Sequence, residues 1–203
     1  KKVWTLINNN NKKIVHITLE LYEPYVSRRY DSNLTGISNH NLEFNKEEIK
    51  KILSKYQGNI VIKHFNFGTI SSANLKAYFD QLRSSGFDFD DVILDYADGI
   101  KPSGNSNGRS SSKRDDQVLG NVYNELRTLA QEENVTMYSA SQMNRSALEQ
   151  DVIEADKIAG SYEKIMVADF VMSLSRKVKD KLAGSGRWHV IKNRFGPDGI
   201  TFL

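Results

Sequence analysis

Short β-branched apolar segments alternate with amphipathic segments along most of this chain, and this alternation restricts the folds it can adopt. Four of the five predicted strands each precede or follow a predicted helix, and such β-α-β order indicates a mainly parallel sheet covered by helices on both faces. The predicted strands are Ile14–Leu19, Ile60–Phe65, Val92–Tyr96, Val135–Ser139 and Phe170–Leu174. The predicted helices are Glu23–Leu34, Lys46–Tyr56, Ser71–Ser85 and Gln117–Glu133.

The C-terminal segment follows a different pattern. Arg187–Asn193 and Ile200–Leu203 flank a turn rich in Gly, Pro and Asp, which predicts a terminal β-hairpin. The length of 203 residues fits a single domain spanning 1–203. The fold class predicted from these patterns is therefore α/β, with a parallel sheet between helices and a C-terminal hairpin.

Composition narrows the functional classes. The chain has no cysteine, which excludes disulfides, thiolate metal sites and cysteine nucleophiles. The four histidines lie far apart in sequence and indicate no metal cluster. Neither a membrane span nor a signal peptide is recognisable, so a cytoplasmic setting without a membrane partner is predicted. With a net charge of only +3, any affinity for nucleic acid must depend on local clusters of charge.

Two neighbouring strands each end in a polar side chain suited to nucleotide chemistry. Asp95 closes the strand Val92–Tyr96, and Gln142 follows the strand Val135–Ser139. Ligands of open α/β sheets bind at the carboxyl ends of the strands. A strand-end Asp alone is more often a structural turn residue or helix cap, and Gln142 shifts the interpretation toward a functional site.

Two long connections leave these strand ends and carry candidate DNA-binding cations. The first has four positive charges and no negative one, and it can follow a phosphate backbone without reading bases. A solvated surface loop is the alternative. The second has mixed charge, and its middle, Leu148–Ile158, is equally compatible with a short amphipathic helix. The candidate cations are Lys101, Arg109, Lys113, Arg114, Arg145 and Lys164.

Five groups of residues in this order resemble the RecA-type motor domain of replicative hexameric helicases of the DnaB family, in its phage form. They are similar to the strand ending in a catalytic glutamate, the Walker B strand, the Ser/Thr-Gln-x-Asn-Arg sensor, the second DNA loop with its following strand, and the Lys-x-Arg-x-Gly-Pro segment. The matching residues are Ile14–Glu20, Val92–Tyr96, Ser139–Arg145, Ile158–Lys164 with Ala168–Arg176, and Lys192–Pro197.

The resemblance implies a RecA-like P-loop NTPase core and a role for each matching residue. Glu20 would activate the attacking water, Asp95 would bind Mg²⁺, and Gln142 would sense the γ-phosphate of ATP. Lys192 and Arg194 would enter the nucleotide site of a neighbouring subunit, which requires an oligomer such as a hexameric ring. The alternative for this pair is two exposed charges on an edge strand.

The family's activity implies ATP-driven translocation on single-stranded DNA, with a primase or helicase loader as a partner. The phosphate-binding sequence Gly-x-x-x-x-Gly-Lys-Ser/Thr does not occur in these residues, and Lys1 is the one candidate remnant of it. No counterpart of the family's N-terminal helical domain is recognisable either. A fragment of a motor is favoured over a protein that has lost nucleotide binding. The other hypotheses are a recombinase-type strand-exchange ATPase and a nucleotide-free RecA-like module that binds DNA or a replisome protein.

Overall fold

The structure is a computed structural model that describes residues 12–56, 58–103, 112–142 and 162–202, with side chains at all of these positions except 112–116 and 162. Two compact units are distinguished. The first comprises Lys1–Lys101 with Leu129–Ala140, and the second comprises Pro102–Thr128 with Ser141–Leu203. That residues 1–203 form a single domain remains a prediction.

The first unit is built on a four-stranded parallel sheet. Its strands are β1 (Lys13–Thr18), β2 (Asn59–His64), β3 (Asp91–Asp95) and β4 (Thr136–Ser139), in the spatial order β2-β1-β3-β4. The two interior strands, β1 and β3, supply much of the buried core, including Ile14, Ile17, Val92 and Leu94. Burial of a strand on both faces explains their continuous apolar sequence.

Helices of the first unit begin and end at residues with clear local signals. Helix α1 (Glu23–Thr35) has a proline in its first turn and ends at Gly36, which adopts a left-handed φ of 76°. Helix α2 is Lys46–Leu53, three residues shorter than predicted. Helix α3 (Ser72–Ser84) follows a capping box in which Ser71 and Asn74 bond each other's backbone N–H groups. Two 3₁₀ turns, Leu42–Phe44 and Ala97–Gly99, complete the unit.

The second unit contains a three-stranded antiparallel sheet. Strands β5 (Phe170–Ser175), β6 (Arg187–Asn193) and β7 (Thr201–Phe202) lie in that order, so the predicted hairpin is formed by β6 and β7. The helices of this region are α4 (Ser112–Glu132), α5 (Tyr162–Val167) and α6 (Val178–Leu182). The last turn of α4 belongs to the first unit.

Two expectations about this region need correction. Phe170–Leu174 was predicted as a buried strand, but Phe170, Met172 and Leu174 are 42–47% exposed and serines occupy the buried positions. Helix α4 begins at Ser112 and not at Gln117, so Lys113 and Arg114 lie in its first turn and not in a loop. Among the described helices, none combines the length and apolar character needed to cross a membrane.

Candidate active site

The carboxyl ends of β1 and β3 bring Glu20 and Asp95 to the same edge of the parallel sheet. Thr18 and Asp95 are partners in the register, and the Leu19 backbone N–H donates to the Asp95 carbonyl at 2.8 Å. Glu20 is therefore one residue beyond a backbone bond to Asp95. The Asp95–Tyr96 peptide bond is cis. The prediction that Asp95 and Gln142 follow neighbouring strands is confirmed as to the strands, because β3 and β4 pair in parallel.

Negative charge accumulates around this edge. Burial raises the pKa of the Tyr96 phenol, and the charges of Glu20, Asp98 and Asp95 raise it further. Burial also raises the pKa of Tyr30, with a second contribution from Asp95. Both phenols therefore lie close enough to Asp95 for its negative charge to raise their pKa.

The oxygen atoms at this edge fit Mg²⁺, which prefers hard oxygen ligands, retains several waters and needs only one or two carboxylates. Asp95 is half-buried and Glu20 is exposed, so the first can be oriented by the fold while the second faces solvent. Within the part of the chain that the structure describes, no cluster of three or more His, Cys, Asp or Glu is arranged to hold a metal. The fit is thus to a hydrated ion shared with phosphates rather than to a closed protein cage.

The phosphates of a nucleotide need hydrogen-bond donors, which a phosphate-binding loop provides in this type of fold. The Gly-Lys-containing phosphate-binding sequence occurs nowhere in the 203 residues, and Lys1 lies outside the described ranges. The carboxylates fit the metal, and the 203 residues do not contain the phosphate-binding sequence motif.

Ser139 joins the ends of β3 and β4. Its hydroxyl donates to the Leu94 carbonyl and accepts from the Ala97 N–H, both at 2.9 Å. The chain then continues to Gln142, which lies three residues beyond β4 and is exposed. Sequence reasoning placed Ser139 in the sensor motif and did not identify this bond, because its partners are backbone atoms of a distant segment.

Lys192 and Arg194 both reach the C-terminal end of α5 within the second unit. The Lys192 ammonium donates to the Ile165 and Met166 carbonyls, each at 2.8 Å. Arg194 donates to the Asp169 carboxylate at 3.0 Å and to the Met166 carbonyl at 3.3 Å. Burial, and then the positive charge of Arg194, lower the pKa of Lys192. The two cations therefore point the same way, as expected from their spacing.

The alternative interpretation of this pair is two exposed charges on an edge strand, and the register of β6 with β7 covers only Trp188 and His189. Strand β6 lies between β5 and β7 and is the middle strand of its sheet. Arg194 lies one residue beyond the end of β6, and its backbone N–H donates to the Asp169 carbonyl at 2.9 Å. Asp169 also accepts from Arg127 at 2.9 Å, so two arginines share this carboxylate.

The candidate DNA-binding cations differ in accessibility. Lys101 is exposed at the end of the first unit, and Arg109 and Arg145 lie outside the described residues. Lys164 is only 4% exposed; its ammonium lies 3.2 Å from the Ser141 hydroxyl and 5.5 Å from the centre of the Tyr123 ring. In this structure Lys164 is not presented to a phosphate backbone.

Sequence reasoning also missed the pairing of His16 with Tyr30. The His16 Nδ1 atom bonds the Tyr30 hydroxyl and the ring is 7% exposed, while its Nε2 atom is buried without a hydrogen-bond partner. Burial lowers the pKa of His16 to about 4. A polar residue within the apolar run Ile14–Leu19 was the available signal.

Comparison with known proteins identifies relatives of this chain. The DnaB-like replicative helicase of Enterobacteria phage T4 is 22% identical over 192 residues, which are 90% of this chain and 40% of that protein. A solved DnaB-like replicative helicase, described with its interactions with primase, has a TM-score of 0.74 and 16% identity, covering 96% of this chain and 48% of its own. A second solved structure, described as an ATPase domain, has a TM-score of 0.73 and 16% identity, covering 96% of this chain and 72% of its own.

The solved structures support the fold of this chain, and the family model supports its family. The structural matches confirm the predicted α/β fold of RecA-like type. The chain spans two fifths of the length of the phage T4 relative and about half that of the solved helicase. The family model for the DnaB-like helicase C terminal domain matches residues 2–203, so this chain belongs to the DnaB-like helicase C-terminal domain family.

Proposed function

We propose that this chain is the ATP-hydrolysing motor of a replicative DNA helicase, which couples hydrolysis at subunit interfaces to translocation on single-stranded DNA. The observation that carries the proposal is the backbone bond that places Glu20 next to Asp95 at the carboxyl edge of the parallel sheet. Family membership supports an ATPase and helicase role. Translocation, ring assembly and the individual residue roles are part of what we propose.

Asp95 and Glu20 divide the chemistry between them. Asp95 would hold a hydrated Mg²⁺ ion, and the ion would supply positive charge that stabilises the phosphate oxygens of bound ATP. Glu20 is exposed and its carboxylate accepts a proton from the attacking water. The surrounding acids keep this edge negative until nucleotide and metal arrive together. The Gly-x-x-x-x-Gly-Lys-Ser/Thr sequence, which would donate to the phosphates, does not occur in these 203 residues.

Gln142 and the pair Lys192 and Arg194 link hydrolysis to neighbouring subunits. The Gln142 amide can donate to a phosphate oxygen and accept from water, so it responds to loss of the γ-phosphate. Lys192 and Arg194 reach a neighbour's nucleotide by exchanging their bonds to the end of α5 and to Asp169 for bonds to phosphate oxygens. This exchange needs an oligomer, and we propose a hexameric ring.

The cations leaving the first unit follow the DNA backbone. We assign this role to Lys101, Arg109, Lys113, Arg114 and Arg145. Lys164 is left out because its side chain is buried. A primase or a helicase loader is the protein partner, since one structural relative is described with its interactions with primase. The setting is the cytoplasm of a bacterium or a phage-infected host.

DNA-stimulated ATP hydrolysis by the natural polypeptide that contains this sequence tests the proposal. Glu20→Gln and Arg194→Ala should each lower turnover by about 100-fold or more. Glu48→Gln on α2 and Arg29→Ala on α1 change exposed charges of the same types and should leave it unaltered. Full activity in both Glu20→Gln and Arg194→Ala would refute the assignment. Filaments in place of rings in electron micrographs would favour a strand-exchange ATPase.

A second candidate is a nucleotide-free module that binds DNA or a replisome protein. The phosphate-binding sequence motif does not occur in the 203 residues. Titration of the natural polypeptide that contains this sequence with ATP distinguishes the two, because the motor requires nucleotide binding and the module does not. DNA binding by a natural polypeptide that never binds nucleotide would support the module and contradict the motor.

A further inference from the structure

Thr18, the last residue of β1, closes the turn that carries Glu20. Its side chain is fully buried. The Thr18 hydroxyl donates to the Leu21 carbonyl at 2.8 Å and accepts from the Leu21 N–H at 3.1 Å. One side-chain oxygen therefore satisfies both backbone polar groups of Leu21. Glu20 therefore lies within the short segment between Thr18 and Leu21, which these two bonds close.

The same turn is attached on both sides to the rest of the first unit. On its N-terminal side, Leu19 is 2% exposed and its N–H donates to the Asp95 carbonyl at 2.8 Å. On its C-terminal side, the Glu23 carboxylate accepts from the His64 N–H at 2.9 Å as α1 begins. The backbone of Glu20 is thus held at a fixed place relative to Asp95, while its carboxylate stays exposed.

We infer that Thr18 is a positioning residue for Glu20, and that its hydroxyl sets the distance between the Glu20 carboxylate and the water attacking the nucleotide. The inference rests on the proposed function, because it assumes that Glu20 activates this water. Thr18 itself touches no reacting atom. Its contribution is the shape of the turn between residues 18 and 21.

The chemistry of the hydroxyl explains why this residue type is needed. A hydroxyl can donate and accept at once, so Thr or Ser can bond both groups of Leu21, while Val and Ala can bond neither. Without the Thr18 hydroxyl, the Leu21 N–H and carbonyl must form hydrogen bonds with water instead, and the backbone of the turn shifts. The acceptor oxygen of a general base has to lie about 2.6–3.2 Å from the heavy atom that carries the proton, and a displacement of about 1 Å costs on the order of 100-fold in rate.

The test compares Thr18→Val and Thr18→Ser in the natural polypeptide, each alone and combined with Glu20→Gln. Thr18→Val should lower kcat for ATP hydrolysis about tenfold to 100-fold with little change in the KM for ATP, and Thr18→Ser should restore kcat to within about threefold. The double variant Thr18→Val with Glu20→Gln should be no slower than Glu20→Gln alone, since Thr18 acts through Glu20.

Each result decides between defined alternatives. Unchanged kcat in Thr18→Val, or a further loss when it is added to Glu20→Gln, overturns the positioning role. Full activity in Glu20→Gln alone overturns the proposed function instead. If Thr18→Val does not fold, Thr18→Ala is compared with Thr18→Ser, which differ only in the hydroxyl. Equal kcat values in that pair contradict the inference, and a tenfold advantage of Ser supports it.

Discussion

Acid should destabilise this protein through His16 as the pH falls below about 6.5. His16 lies on β1 with 7% of its surface exposed, and its Nε2 atom has no hydrogen-bond partner. Burial lowers its pKa from 6.5 to about 4. Between these two pH values, His16 is therefore protonated in the unfolded chain and neutral in the folded chain. The stability linked to His16 should be fully present above about pH 6.5, decrease as the pH falls, and be lost below about pH 4.

The size of this loss follows from the change in pKa. A difference of about 2.5 pKa units corresponds to about 3 kcal/mol when the transition is complete. At about pH 4.5 most of it, about 2.5 kcal/mol, should already be lost. This is a large part of the stability of an ordinary domain, which is roughly 5–15 kcal/mol.

Urea denaturation at about pH 7 and about pH 4.5 measures the effect. His16→Gln keeps an acceptor for the Tyr30 hydroxyl and cannot titrate in this range. Its loss of unfolding free energy between the two pH values should therefore be about 2.5 kcal/mol smaller than that of the wild type. His40→Gln, at an exposed position, should behave like the wild type. Equal losses in the wild type and in His16→Gln would refute the claim that His16 is held neutral by burial.

Three further predictions concern contacts in the two units. Ser139→Ala removes the hydroxyl that joins the ends of β3 and β4, and should lower the free energy of unfolding by about 1–3 kcal/mol. Lys192→Met removes the Lys192 donor from the Ile165 and Met166 carbonyls and leaves Met166 only its bond from Arg194, so amide hydrogen exchange in α5 should accelerate about tenfold. Lys101→Ala should reduce the salt dependence of DNA binding by about one charge, while Lys164→Met should not change it, because Lys164 is buried.

The parallel strands were predictable because their side chains carry the signal. Apolar β-branched residues fill β1 and β3, and the predicted bounds agree with the observed ones to within a residue. The start of α4 was missed because residues 112–117 are all polar and show no apolar periodicity. The apolar residues of β5 predicted a strand correctly, but such a run does not distinguish a parallel strand from an antiparallel one with serines inside.

The candidate site was predictable to the extent that it depends on strand ends. Asp95 was found because it ends an apolar run at the carboxyl end of a strand, and Glu20 was found because Ile14–Glu20 resembles the family's strand that ends in a catalytic glutamate. The roles of Thr18 and Ser139 depend on hydrogen bonds to backbone atoms, and those bonds exist only once the turns are folded. The contacts of Lys192 with α5 likewise depend on how the second unit packs, and sequence spacing predicts only the shared direction of Lys192 and Arg194.

The Mg²⁺ dependence of ATP hydrolysis tests the central claim, that the adjacent ends of β1 and β3 form the hydrolysis site. In the natural polypeptide, Asp95→Asn should raise the Mg²⁺ concentration for half-maximal activity about tenfold or more, because it removes a charged ligand. Glu20→Gln should leave that concentration nearly unchanged and lower the maximal rate about 100-fold or more. An unchanged Mg²⁺ dependence in Asp95→Asn together with an unchanged rate in Glu20→Gln would contradict the account.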